Sequence, residues 1–427
     1  MSPAPPETRS AAGRIADPAW VRAALFAAFT ALVALRIPGI WQGRFWAEDG
    51  LFLLDALRLP WHEALLRPHT GYLDLVASTT MLLATRLVTL EDAPFVSLAI
   101  SLCIQVLPGL LLAAGGIRWM PDPRYLAAAL LMLATVPLSE EVWLSPITSQ
   151  YHLIVAVGVV LASETSRGWT RWLHRAVLLI APLAGPGPSL AAPLFFLRAM
   201  ADCSWARFGQ GVLISMGTLA QVAVLLSNPE AHRDIGIAPD LLLMVITVKH
   251  ILVPLLGRTE SIDLSKLLWA ARHAGSFTAL PLLAMTAAAA ALLVLGIAAW
   301  RSRTVEARWL YFAAVLTMLL SYVGSLGPKE ALLGILFGQR YYVAPQMLFS
   351  LTLIAVAAGA SGPGRKVAAG LAGWLIIVGV HACFSVDPLM ADGPSWRAQV
   401  AAWRTDPRAP IALWPYGFQI KLPKREP

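Results

Sequence analysis

The stretch AGSFTALPLLAMTAAAAALLVLGIAAW, Ala274–Trp300, holds no Asp, Glu, Lys or Arg and runs directly into Arg301 and Arg303. A bilayer core takes about 20 apolar residues per helix, so this run alone is long enough to span one. The pattern recurs. Ala93–Ile117, Val142–Ser163, Phe208–Pro229, Trp309–Pro328, Tyr341–Gly364 and Val367–Val386 are free of the same four residues. Weaker candidates are Gly71–Thr85 with its Asp74, Tyr125–Ser139, Ala176–Leu197 and Leu241–Gly257. Gly185-Pro186-Gly187-Pro188 cuts the third of these, and Lys249 interrupts the fourth. With a first helix ending near Ile40, the expected count is about eleven to thirteen spans. Backbone groups in lipid must bond within their own segment, so these are helices rather than strands. The expected fold is an all-α polytopic membrane protein.

Composition agrees. The 427 residues are 57% hydrophobic and 14% charged, with a mean hydropathy of +0.65. Soluble domains carry about 25% charged residues, so this chain cannot cover a water-facing surface. That excludes a soluble globular enzyme, a disordered chain and a nucleic-acid binder. The net charge of +8 comes from Arg and Lys clustered in short turns between apolar runs, as membrane orientation requires. Cys103, Cys203 and Cys383 are far apart and read as small buried hydrophobes.

Basic turns set the orientation. Arg167, Arg171 and Arg175 mark one cytoplasmic turn, Arg198 with Arg207 another, Arg301, Arg303 and Arg308 a third, and Arg365 with Lys366 a fourth. The expected layout is a cytoplasmic tail over 1–18, a transmembrane domain over 19–386 and a short extracytoplasmic tail over 387–427, in the inner (plasma) membrane. One conflict stands in this scheme. Arg118 and Arg124 look cytoplasmic, yet counting every candidate span puts their loop outside.

The first outer loop, 41–75, reads WQGRFWAEDGLFLLDALRLPWHEALLRPHTGYLDL. It is too polar to span and too apolar to be a free loop. Leu51, Leu54, Leu57 and Leu65, with Trp46 and Trp61, suit one or two amphipathic helices lying in the interface. Glu48 and Asp49 precede Gly50 in this loop. Adjacent carboxylates can divide two jobs, one taking a proton from an attacking hydroxyl and the other orienting a partner or holding a cation. The plainer reading is a solvated acidic turn that caps the next helix.

This layout resembles the GT-C superfamily of membrane glycosyltransferases, which use polyprenyl-phosphate sugars and carry an acidic motif directly after the first helix. WAEDG (Trp46–Gly50) occupies that place, and PHTGYL (Pro68–Leu73) is similar to the usual end of the loop. GPGPS (Gly185–Ser189) and QRYYVAP (Gln339–Pro345) look like later landmarks. The resemblance implies that Asp49 is the base for an acceptor hydroxyl. Glu48 would assist it or help hold a divalent cation, Mg or Mn. Arg340, with Tyr341 beside it, would meet the donor phosphate, for which a planar guanidinium is suited. The implied partners are a polyprenyl-phosphate sugar, the lipid bilayer and an unidentified lipid, glycan or protein acceptor, with no nucleic acid.

Other polar residues at membrane depth are candidates for the substrate cavity. They are Glu141 beside Glu140, Gln150 and His152 flanking Tyr151, and His69 and Tyr72 in the loop. Lys249 interrupts a span and calls for a partner or a phosphate, although a snorkelling role fits it as well. Asp74 faces the cavity or caps the second helix. No GxxxxGK[ST], GxGxxG, HExxH or GxSxG motif occurs, so an activated substrate must come from the lipid phase. The rival reading is a transporter or flippase for a lipid-linked substrate. It predicts broken helices in matching halves, and Gly185–Pro188 has no such mate.

Overall fold

A computed structural model describes residues 19–37, 42–228, 235–275, 277–385 and 393–423. The expected 1–18 tail and residues 387–392 of the C-terminal tail lie outside these. The described residues are almost wholly helical. In order the helices are α1 (Ala19–Leu35), α2 (Asp49–Arg58), α3 (Trp61–Leu66), α4 (Leu75–Leu87), α5 (Ala93–Gln105), α6 (Leu107–Ala114), α7 (Pro123–Ala134) and α8 (Ser149–Ala162). There follow α9 (Gly168–Ile180), α10 (Ala192–Ala201), α11 (Trp205–Ser227), α12 (Pro239–Ile246), α13 (Val253–Leu256) and α14 (Arg258–His273). Last come α15 (Ala279–Arg301), α16 (Val305–Val323), α17 (Gln339–Gly359), α18 (Gly362–Phe384) and α19 (Trp396–Thr405). A two-stranded antiparallel hairpin, β1 (Ile411–Leu413) and β2 (Phe418–Ile420), ends the chain's regular structure.

Six helices among the described residues are long and apolar enough to cross a membrane, and four shorter apolar helices pack with them. Their burial sorts them into layers. The apolar window of α17 is 89% buried and that of α15 only 17%. A helix as apolar as α15 on all sides yet covered on so few needs a non-aqueous surround. The core forms where α17 packs against α16, α8 and α7.

Two expected spans change. The run Val142–Ser163 becomes helical only at Ser149. Before it, the chain is irregular, with Leu138 and Leu144 at positive φ. Its backbone groups bond to side chains instead. Gln105 takes Leu144 N–H at 2.7 Å and donates to Ser145 C=O at 3.0 Å, and the Thr148 hydroxyl donates to Val142 C=O. Irregular backbone is stable at depth when neighbouring side chains satisfy it this way.

The second change is Gly71–Thr85. Its helix, α4, is only about 20 Å long, and both its ends meet segments from one end of the bundle. Just before it, Leu73 exchanges bonds with Gln221, which also donates to Pro182 C=O at the α9–α10 tip. Just after it, Leu90 C=O accepts from Trp396, and Glu91 and Asp92 pair with Arg404 and Arg397. The helix packs against α2, α3 and α5. Arg118 pairs with Glu164 and Glu306, and Arg207 reaches Ser163 C=O and Asp202. The basic turns at 118, 198–207 and 301–308 thus share one end of the bundle.

Residues 393–423 fold back as a cap on the other end. Trp414 N–H donates to Phe45 C=O at 3.1 Å, and Phe45 meets Trp396 edge-on at 4.7 Å. A Cβ at Gly50 would come within 2.5 Å of Leu413 and 2.8 Å of Ile420. A side chain here would have to push the Leu413 and Ile420 side chains of the β1–β2 hairpin away from the start of α2.

Candidate functional site

Three segments from distant parts of the sequence converge on one guanidinium. Glu48 stands at the N-cap position of α2, where its side chain makes no capping bond. Its Oε1 lies 2.9 Å from Arg340 Nη2. Glu141, in the 3-10 turn Glu140–Val142, places its Oε1 2.5 Å from the same nitrogen. Arg340 sits in the first turn of α17, which starts from Gly338 at φ 67°, the left-handed conformation that favours glycine. Gln339 accepts from Glu141 N–H at 3.3 Å and ties α17 to the turn. Burial above all raises the Glu141 pKa over the usual carboxylate range, Arg340 opposes this, and the Glu48 charge adds to it. The site thus holds two carboxylates for one fixed cation. The Glu48 and Arg340 side chains keep 32% and 28% exposure, against 10% for Glu141, so the first two face an opening. Tyr72, Tyr151 and Tyr341 stand around this group, and the Tyr341 hydroxyl oxygen accepts from Leu326 N–H at 2.9 Å.

Asp49, expected as the base, points elsewhere. It is 1% exposed. Its Oδ2 accepts from Trp46 N–H at 2.9 Å and its Oδ1 from the Ser145 hydroxyl at 3.0 Å. It therefore closes the WAEDG turn and pins it to the irregular segment before α8. Burial pushes its pKa up to about 7, with Trp46 N–H, Ser145 and Arg44 pulling down and the Glu48 charge pushing up. Arg44, unremarked in the sequence reading, donates to Trp143 C=O and lies over the rings of Trp46 and Trp414 at 5.7 and 5.2 Å. Burial lowers its pKa to about 10 against the pull of Asp49. An arginine directly before Phe45-Trp46 in WQGRFW is the sequence signal for it.

A prediction follows for Asp49. Its folded pKa of about 7 lies above the ~3.9 of a free Asp. Its contribution to stability is therefore full below the free value and is lost as pH rises towards neutrality. An asparagine can keep both bonds, accepting from Trp46 N–H and donating to Ser145 Oγ. Asp49→Asn is expected to fold and to flatten the pH dependence of melting between about pH 4 and 7. A variant with the wild-type slope would contradict this role.

The remaining candidates divide between the site and its supports. Lys249 lies in a π-helical turn, Thr247–Leu252. Its ammonium donates to the carbonyls of Gly334, Ile335 and Phe337 at 2.8, 2.8 and 2.9 Å. With all three protons used, it holds the loop that delivers Arg340 and does not stand open to a phosphate. His69 places Nε2 2.9 Å from Asp55 Oδ2 and rests on Phe52. Burial lowers its pKa while Asp55 opposes. His69 and Tyr72 exchange backbone bonds across Thr70 and Gly71, at φ 48° and 83°, the signature of a type I′ turn. Gln150 lies under the α9–α10 tip, where a Cβ on Gly185 would fall 2.2 Å from its Oε1. His152 is buried against Trp143 at 4.4 Å and belongs to the core. Asp74 caps α4 by accepting from Ala77 N–H. Burial, chiefly, raises its pKa well above the usual range, and Asp49 adds.

The residues do not fit the divalent cation suggested for the acidic pair. Glu48 and Asp49 diverge, and Arg340 itself stands between Glu48 and Glu141. No group of three or more His, Cys, Asp or Glu suited to a metal occurs among the described residues. No family model, curated protein or solved structure matches this chain.

Proposed function

We propose that the chain is a polytopic membrane glycosyltransferase that takes a sugar from a polyprenyl-phosphate donor and passes it to a hydroxyl acceptor. The observation that carries this reading is the junction of Glu48, from the acidic motif, with Arg340 and Glu141 at one partly open point. Arg340 meets the donor phosphate, which displaces Glu48 from the guanidinium. The freed Glu48 is the base. The acceptor oxygen attacks the anomeric carbon from the face opposite the phosphate, Glu48 takes the hydroxyl proton, and the sugar–phosphate bond breaks. Its electron pair leaves on the polyprenyl phosphate, whose charge Arg340 neutralises. The anomeric configuration inverts. Glu141 holds the guanidinium in place throughout.

The gathering of basic turns at the end opposite the site supports an inner-membrane orientation with the site on the extracytoplasmic side. On this reading the N-terminus is cytoplasmic and the capping tail is outside.

The test is release of polyprenyl phosphate. Purified protein in detergent, supplied with polyprenyl-phosphate sugars and an alcohol acceptor, is expected to convert donor to free polyprenyl phosphate and glycoside in equal amounts. A transporter or flippase moves its substrate across a bilayer unchanged and gives neither product. Absence of both products across the common hexose and pentose donors would overturn the transferase reading.

A further inference from the structure

A groove of ≈ 610 Å³ opens between the end of α2, the end of α4 and the C-terminal cap. Leu57, Leu90 and Leu422 are among the apolar residues lining it, and Arg58 and Arg86 bring two positive charges. Arg58 donates to Lys421 C=O at 2.9 Å. Neither arginine pairs with a carboxylate among the described residues. The acids nearest them along the chain are taken: Asp55 lies 2.9 Å from His69 and 3.5 Å from Arg67, and Glu91 lies 2.9 Å from Arg404. Trp403 also lines the groove. It is 9% exposed, and its indole N–H has no hydrogen-bond partner. A buried donor left unmade costs roughly 1–3 kcal/mol, so natural structures seldom leave one without a ligand or water.

The surround says what the ligand is. Leu83 and Leu87 of α4, Val88 just after it, and Trp61 and Leu66 of α3 are exposed. Short helices that show leucine and tryptophan outward beside unpaired arginines lie at the boundary of headgroups and acyl chains. Two exposed cations and a buried N–H donor lining one apolar groove match one phosphate with a hydrocarbon chain behind it.

We propose that this groove binds an anionic phospholipid of the surrounding bilayer, its phosphate between Arg58, Arg86 and the Trp403 indole N–H. The site is separate from Glu48 and Arg340 and does not depend on the transferase reading. The α2 helix connects the two. It carries Glu48 at its start and Arg58 at its end, about 15 Å away by helical rise. A lipid seated on Arg58 and Arg86 thus fastens α2 to α4 and the cap, and steadies the turn that presents Glu48.

The experiment is thermal melting of the full chain in neutral detergent with added lipid. Phosphatidylglycerol is expected to raise Tm by several degrees, and phosphatidylcholine, with no net charge, by much less. The double variant Arg58→Gln, Arg86→Gln should lose most of the phosphatidylglycerol shift while melting near the wild-type value without lipid, since both side chains are exposed. Trp403→Phe, which keeps the ring packing and removes the N–H, should lose part of it. An equal shift in wild type and double variant would place binding elsewhere and overturn the proposal, as would no shift at all. Glycerol 1-phosphate is expected to give no shift. If it reproduces the full effect, the ligand is a soluble phosphate and the lipid assignment fails.

Discussion

Arg340→Gln is expected to abolish transfer and to weaken the fold at once. Removal of a single group aimed at charge that develops in a transition state costs about 10²–10³ in rate. Here the loss goes further, because Arg340 is also the only cation bonded to Glu48 and Glu141 among the described residues. Taking one partner from a buried ion pair costs on the order of 3 kcal/mol. The 28% exposure of the Arg340 side chain places the variant toward the smaller end of that range. Glutamine leaves two carboxylates facing each other, one of which is already raised by burial. Their mutual repulsion is relieved by acid, so Arg340→Gln is expected to regain melting temperature as the pH falls, without regaining turnover. Arg340→Lys keeps the charge but lacks the planar fork. It should recover stability more than transfer. Melting curves and donor turnover on the same preparations check both halves. A stable, inactive Arg340→Gln would sever the structural role from the chemical one, and a fully active one would remove Arg340 from the site.

Lys249→Met is the second large effect. Methionine fits the apolar part of the lysine's space, so the change isolates the ammonium. The Ile335 and Phe337 carbonyls lose this donor, while that of Gly334 keeps its bond from Phe337 N–H. At roughly 1–3 kcal/mol for each buried group left unmade, the loop over 334–337 cannot keep its course. That loop runs directly into Gly338 and Arg340, so activity should fall with stability even though Lys249 touches no substrate. The effect should appear in kcat rather than in acceptor KM, because misplacing Arg340 spoils the transition state before it spoils acceptor binding. A variant that melts like wild type would contradict the role given to Lys249. One that melts early yet, below its melting point, turns over at the wild-type rate would leave Arg340 independent of this loop.

How much of this was legible from residues alone differs by element. Uncharged runs such as Ala274–Trp300 gave helix positions within a few residues, because composition over some twenty residues is a strong signal. The spacing of Leu51, Leu54, Leu57 and Leu65 left one or two short helices open for the first loop, and the structure has two. The partners at the ends of Gly71–Thr85 were not legible. Apolar composition marks a helix there, but not the pairing of Asp92 and Glu91 with arginines over three hundred residues away. The irregular segment before α8 was hidden for a similar reason, since Gln105 satisfies it from another helix.

At the candidate site the residue types were readable and their division of labour was not. The sequence joins Glu48 and Asp49 as neighbours. One turn of backbone sends Glu48 to Arg340 and Asp49 to Ser145. Lys249 read as an intramembrane charge in want of a partner, and its partners are carbonyls, which sequence cannot mark.

The most direct test of the account compares Glu48→Gln with Asp49→Asn in one donor-turnover assay. A general base contributes about 10²–10⁴-fold. Glu48→Gln is expected to show a loss of that size at near wild-type melting temperature, with Asp49→Asn folded and active. An inactive, well-folded Asp49→Asn beside an active Glu48→Gln would contradict it.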